Sequence, residues 1–217
     1  MIIAIDGGVA SGKSAVGRRV AEHLGLQFID SGLMYRAITR LAKERGIDPH
    51  DAEALSKLAA DTDIRIDGER VWADGVELTP VIFDSGSADA LPTVSATPGV
   101  RVALVDKQRR AADKGVVMAG RDIGTVVFPD ADHKFFLTAS LAEKVRRRAA
   151  QYERRGEAVD EDAMRKEVEM RDRVDSERAI APLKPADDAV IIDTDDLSVE
   201  DVVARILVDI EDTVGGE

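Results

Sequence analysis

An α/β protein, with a mostly parallel sheet covered by helices on both faces and interrupted by a small antiparallel insert, is what this chain predicts. Three observations carry that expectation. Short apolar β-branched runs alternate with amphipathic stretches along the chain. The first run, Met1 to Ile5, leads through Asp6 into Gly7-Gly8-Val9-Ala10-Ser11-Gly12-Lys13-Ser14. From Thr62 to about Thr79 the apolar period falls to two, with Asp67-Gly68 and Asp74-Gly75 as hairpin turns.

In chain order, the strand at Met1 to Ile5 reads as buried, and Ala15, Val16, Val20, Ala21 and Leu24 then share one helix face. Leu26 to Ile29 is a second strand. It ends in Asp30-Ser31-Gly32, and Ser31 is placed to cap a helix that Gly46 terminates. Asp51 caps a short helix over Ala52 to Ala60. The antiparallel unit follows, then an ambiguous Pro80 to Thr97 that reads as broken helix around Pro92. Pro98-Gly99 opens a helix containing Arg101, and Val116 to Ala119 is a strand running into Gly120-Arg121-Asp122. Lys134 to Leu137 is another strand. Ser140 caps a basic helix with Lys144, Arg146, Arg147, Arg148, Arg154 and Arg155. Asp160 to Arg178 is a helix dense in both charges, and Ala189 to Ile192 with Ser198 to about Thr213 completes the pattern.

The chain has 217 residues, 44% hydrophobic and 33% charged, which suits one α/β domain with an insert. It has no cysteine, so disulfides, thiol nucleophiles and Cys-ligated metals are excluded. His23, His50 and His133 lack metal-ligand spacing. No apolar run reaches the ~20 residues of a membrane span. The first strand begins at once and leaves no room for a signal peptide, so the expectation is a cytoplasmic protein with no membrane partner. A formal net charge of −12 argues against nucleic acid, which needs an extended basic face. With no long apolar stripe left over, a monomer is expected.

The glycine-rich stretch fits G-x-x-x-x-G-K-[ST], and it lies between a strand and a helix, the context that gives the motif its meaning. This refines the expectation to a P-loop NTPase three-layer fold. Backbone N–H groups over residues 7–14, with Ala15 behind them, would cradle a polyphosphate. Lys13 would reach the β- and γ-phosphates, and the Ser14 hydroxyl would ligate Mg²⁺ brought with ATP.

Further polar clusters fall at carboxyl ends of strands, where such sheets bind ligands. One holds Asp30, Ser31, Tyr35 and Arg36, the other Arg121 and Asp122. Arg171, Asp172, Arg173, Asp175 and Arg178 share the charged helix. Arginine forks facing a triphosphate site suggest a second bound phosphate, and the run at Arg146 to Arg148 suggests a lid over about residues 140–160. Each cluster has a plainer reading. Asp30 and Ser31 also suit a helix cap, Arg121-Asp122 a structural ion pair, the arginine run a solvated face, and Asp6 a strand-end turn.

Taken together, the motifs resemble the bacterial cytidylate (CMP/dCMP) kinases. The resemblance rests on Asp6-Gly7…Ser11-Gly12-Lys13-Ser14, on Asp30 to Arg36, on Gly120-Arg121-Asp122-Ile123-Gly124-Thr125-Val126-Val127-Phe128-Pro129, and on Arg171-Asp172…Asp175…Arg178-Ala179…Ala181-Pro182-Leu183. It implies phosphoryl transfer from ATP-Mg²⁺ to CMP or dCMP. Ser31, Tyr35, Arg36, Arg101, Arg121 and Asp122 would surround the monophosphate, and Arg171, Asp175 and Arg178 the sugar and phosphate. Arg147 would serve the ATP side, and Lys13, Arg121, Asp122 and the lid residue Arg148 the transfer itself. Residues 62–97 would form the inserted monophosphate-binding domain, and residues 1–61 with 98–217 the kinase core. The chain departs from the family's pattern at Gly8, where proline is usual, at Ile82-Phe83-Asp84, at Pro92, where a base-contacting serine is expected, and at Lys144, where a lid arginine is expected. The alternatives are a kinase of another acceptor such as UMP, or a non-catalytic nucleotide-binding module. A guanine-reading switch would commonly carry Asn-Lys-x-Asp, and the chain contains no asparagine.

Overall fold

The computed structural model describes residues 1–83, 89–112, 115–154, 156 and 158–215. Strand β1 (Ile2–Gly7) leads to α1 (Lys13–Leu24), and β2 (Gln27–Asp30) to α2 (Gly32–Glu44) and α3 (Ala52–Asp61). Three short strands follow: β3 (Ile64–Asp67), β4 (Arg70–Ala73) and β5 (Val76–Glu77). Then come α4 (Leu91–Ala96), α5 (Pro98–Arg110), β6 (Val116–Gly120), a π-helical turn (Ile123–Val127) and β7 (His133–Thr138). The chain continues through α6 (Leu141–Glu153), α7 (Glu161–Glu177), β8 (Val190–Asp193) and α8 (Val199–Gly215).

The main sheet runs β2-β6-β1-β7-β8, with every neighbouring pair parallel. Side chains alternate across it, as the pleat requires. Ile3, Ile5, Val117, Ala119, Phe135 and Leu137 pack on the α1 and α8 face with Val16, Val20, Val202 and Ile206. Ala4, Val116 and Met118 point the other way, into a cluster with α2, α3 and α5 through Ile38, Leu55, Leu58, Val100 and Leu104. The predicted layers are therefore present.

The antiparallel unit is present in the order β3-β4-β5, and the Trp72 ring lies between the guanidiniums of Arg65 and Arg70. Its inward residues Ile66, Val71 and Ala73 join the same apolar cluster as Met118 and Leu104. Pro92 opens α4 near its first turn, where a missing N–H costs nothing, so the stretch read as broken helix carries its helix from that proline's turn onward. Asp84, part of the departure at residues 82–84, lies outside the described residues, as does Arg155.

One local expectation, the Ser31 cap, is corrected. Ser31 occupies the N-cap position of α2 without capping it; its hydroxyl instead donates to the Ala119 carbonyl at 2.9 Å, and Asp30 accepts the Gly32 N–H. The stretch after Asp122 winds into a π turn, in which Phe128 N–H reaches back to Ile123 O at 2.7 Å. Asp51, Ser140 and Asp160 cap their helices with side-chain acceptors.

Helices α3 and α5 cross at Gly99, where an added Cβ would lie 2.1 Å from Ser56 Oγ and 2.5 Å from Ser56 Cβ. Gly99→Ala is therefore expected to destabilise the fold by about 1–3 kcal/mol through overpacking. Ser56→Gly added to it should recover part of the loss. Thermal unfolding of the single and double variants checks this, and an unchanged melting temperature for Gly99→Ala refutes it.

Candidate active site

The phosphate loop connects β1 to α1. Gly12 sits at φ 91° and Ala10 at φ 54°, both left-handed, so the loop curls around its own backbone N–H groups. Lys13 is buried and donates to the Gly8 carbonyl at 2.9 Å. Burial lowers its ammonium pKa to about 7, and the charge of Arg121 adds to the shift. The Ser11 hydroxyl is buried without a partner among the described residues. Ser14 Oγ donates to Asp30 Oδ2 at 2.6 Å. A hydroxyl and a carboxylate oxygen side by side are the donor set a hard divalent cation takes, so Ser14 and Asp30 fit magnesium.

Asp6 does more than end a strand. It is buried and accepts the Ile123 and Gly124 N–H groups, each at 2.8 Å, which fixes the π turn against β1. Burial raises its pKa to about 6, against the pull of those two hydrogen bonds. The turn in turn sets Asp122.

Around Asp122 and Asp175 four arginines converge. Arg101 Nη2 donates to Asp122 Oδ2 at 2.5 Å, and Arg178 approaches Asp122 at 3.4 Å and Asp175 at 3.7 Å. Arg121 Nε donates to Asp175 Oδ2 at 2.9 Å, with Arg171 on the same oxygen at 3.3 Å. Burial disfavours charge on Asp175, but Arg121 and Arg171 outweigh it and hold its pKa below the ordinary value. Burial and then Arg148 lower the Arg36 pKa to about 10, with Arg171 and Arg121 adding; burial likewise lowers Arg171 and, with Arg101 beside it, Arg178. Tyr35 is buried with its ring under the Arg101 guanidinium, 5.0 Å separating Arg36 from the Phe83 ring nearby. The cluster carries more positive charge than its carboxylates neutralise, so it is built to receive an anion.

The neighbouring arginines of α6 reach different partners. Arg147 Nη1 lies 3.7 Å from where a Cβ on Gly12 would be, and its guanidinium is held by Thr194 Oγ1 and O at 2.9 and 2.7 Å. Arg148 pairs with Glu167 at 2.9 Å. Ala15 lies exposed on α1. The sequence reading did not single out Asp30 as a metal partner, Thr194 as a support for Arg147, or Ser95, whose carbonyl holds Arg101 at 3.0 Å. Asp30 was visible in its motif; Thr194 and Ser95 carry no local signal.

A parallel sheet with a phosphate loop after β1 and a cationic pocket after β6 defines a P-loop kinase of a small anionic acceptor. The cytidylate kinase family model matches residues 3–212, and the chain belongs to that family. A cytidylate kinase from Caldanaerobacter subterraneus subsp. tengcongensis is 44% identical over 216 residues, covering 99% of this chain and 96% of that protein. A bifunctional pantoate ligase/cytidylate kinase from Synechococcus sp. (strain JA-3-3Ab) is 48% identical over 216 residues, covering 94% of this chain. The match takes in only 40% of that relative's length. Among solved structures, an uncharacterized protein from Eubacterium ventriosum superposes with a TM-score of 0.52 at 15% identity, over 97% of this chain and 98% of that one, a likeness of fold alone. Among the described residues no helix is long and apolar enough to cross a membrane.

The Asp6 carboxyl gives a pH signature. Its pKa is about 6 when folded and near the ordinary 3.8 when unfolded. Its contribution to stability is therefore complete below about pH 4 and lost as pH rises through 6. Two units correspond to about 2–3 kcal/mol. Asp6→Asn, which does not titrate, should gain stability relative to wild type as pH rises from about 4 to about 6, measured by urea unfolding. Parallel pH profiles for the two proteins would refute the assignment.

Proposed function

We propose that this chain transfers the γ-phosphoryl group of ATP to CMP or dCMP, yielding ADP and CDP or dCDP. The observation that carries the reading is the excess of buried arginine beside the phosphate loop, which supports a phosphate-bearing acceptor facing the donor. Family membership supports the choice of a cytidine monophosphate. An oxygen of the acceptor phosphate attacks the γ-phosphorus, and the bond to the β–γ bridging oxygen breaks in line with it. The attacking oxygen is already anionic near neutral pH, so no general base is required.

On this reading the backbone of residues 7–14 and the Lys13 ammonium hold the donor phosphates, with Arg147 beside Gly12. Ser14 and Asp30 would hold Mg²⁺, which supplies charge neutralisation across the β- and γ-phosphates. Arg36, Arg101, Arg121, Arg171 and Arg178 orient the acceptor phosphate, and Asp122 and Asp175 hold those forks in place. Ser31 and Tyr35 line the same pocket, with the Ser31 proton committed to Ala119. Arg121 and Arg148 stabilise the transferring charge. Residues 62–97 serve as the monophosphate-binding unit and about 140–160 as the lid, on an otherwise continuous core. A monomer in the cytoplasm, with no nucleic-acid partner, completes the proposal.

Coupled ADP-release assays with CMP, dCMP, UMP, AMP and GMP test it: turnover should be strong with CMP and dCMP and weak with the rest. Equal turnover with UMP would overturn the base assignment, and none with any acceptor would overturn the activity. Arg36→Ala should lower kcat/KM for CMP by about 10- to 100-fold, the worth of a charged hydrogen bond, with little change in ATP affinity.

Lys13 adds a proton count. With its pKa near 7 in the free protein, it is largely neutral at pH 8 and a bound triphosphate restores its charge. ATP binding should take up close to one proton at pH 8 and much less at pH 6. Calorimetry in buffers of different ionisation enthalpy reads the uptake. Lys13→Arg should abolish it, and pH-independent uptake would contradict the role.

A further inference from the structure

Helix α7 delivers a carboxylate to the phosphate loop as well as to the arginine cluster. Arg171 and Asp175 sit one turn apart and face the cluster. Asp172 is rotated from Arg171 by one residue, about 100° around the helix, and faces the loop instead. Its Oδ1 accepts the Val9 N–H at 2.9 Å, and its Oδ2 accepts from the Lys144 ammonium of α6 at 2.6 Å. Loop N–H groups of this kind are donors for phosphate oxygens. One such N–H on one oxygen and a lysine on the other is the contact set of an anion seated on the loop.

Two features of the sequence converge on this carboxylate. A Cβ at residue 8 would lie 2.8 Å from Asp172 Oδ1 and 3.0 Å from Oδ2, so Gly8 is what makes room for it. Lys144 is the other member of the pair, and Gly8 and Lys144 are two of the positions where this chain departs from the pattern it resembles. Helix α6 itself contains no fully buried residue. It is held by polar ties: Lys144 to Asp172, Arg147 to Thr194 and Arg148 to Glu167. Ties of this kind exchange partners readily, unlike an interlocked apolar face.

We infer that Asp172 is a positioning residue that stands in for a phosphate in the nucleotide-free protein, holding Lys144 beside the loop and yielding both Lys144 and the Val9 N–H to the donor triphosphate. The inference rests on the donor-site reading above. Neither the N–H nor the ammonium is left without an acceptor at any stage, which keeps the empty loop in its binding shape. The carboxylate opposes the incoming triphosphate by like charge, so it also sets donor affinity below what the loop alone would give. Once exchanged, Lys144 carries α6 towards the triphosphate.

Titration of ATP-Mg²⁺ onto the full chain, alongside acceptor KM and melting temperature, tests this. Asp172→Asn keeps the shape and removes the charge. It should tighten ATP binding about fivefold or more, with the KM for CMP unchanged, a sign that structural damage does not produce. Lys144→Met leaves the carboxylate uncompensated and should weaken ATP binding, and adding Asp172→Asn should recover most of that loss. Folded Asp172→Asn protein that binds ATP no more tightly than wild type overturns the inference, as does a double variant without recovery. Should Asp172→Asn alone fail to fold, the double variant decides between the same outcomes. Wild-type protein that binds no ATP would instead overturn the donor-site reading, and this inference with it.

Discussion

Buried positive charge at the carboxyl ends of β1, β2 and β6 is the constraint on which the site depends. Lys13 and Arg101 are almost wholly buried, as is the Arg178 side chain, and Arg171 is partly buried. Removing such groups from water is unfavourable, and packing them together is more so. Asp122 and Asp175 offset part of this, each shared among several guanidiniums. That sharing has a structural consequence. Asp175 belongs to α7, Arg101 to α5, and Arg121 and Asp122 to the segment after β6, so the charges join elements that lie far apart in sequence. The interactions that hold the pocket together are the ones that leave it short of negative charge.

Asp6 carries the same logic into the sheet. A carboxylate at the end of β1 has no solvent to stabilise it, so it takes the N–H groups that the π turn exposes. The first N–H groups of a helical turn lack a partner inside it, and here those of Ile123 and Gly124 go to Asp6 while Asp122 faces Arg101 and Arg178. Irregular helical turns of this kind are frequent at functional sites. The main-sheet register, pairing Asp6 with Gly120, is what brings the two ends together.

Much of this was legible in the sequence, and the division follows range. The phosphate loop, the hairpin turns at Gly68 and Gly75, and the caps at Asp51, Ser140 and Asp160 are local, so neighbouring residues announce them. The alternation of strands and helices was sufficient for the layers. What could not be read are contacts between distant segments. Asp6 meets residues 117 and 118 positions away, Asp172 meets Val9 across 163, and the Thr194 hydroxyl lies near Ser11 O across 183. A capping residue such as Ser31 fails for the same reason. Its position in the chain suits a cap, but a strand carbonyl brought close by the sheet takes its proton. Within the broken helix of 80–97, the place of the helical part could not be read, because Pro92 looks like a breaker unless its place in the first turn is known.

The directions of the pKa shifts tie the two halves of the site together. Arg121 is the second cause depressing Lys13 and also contributes to the depression of Arg36. One guanidinium therefore raises the cost of charge on the donor side and on the acceptor side at once. A phosphate bound on either side relieves part of that cost, because it supplies negative charge to Arg121 as well as to its own partners. The cation whose charge changes is Lys13, lowered to about 7, whereas Arg36 at about 10 is charged throughout the neutral range. Coupling of this sort is reciprocal, so an anion beside Arg121 and a proton on Lys13 favour one another. The electrostatic strain of the empty pocket is thus what links the phosphate loop after β1 to the arginines after β6.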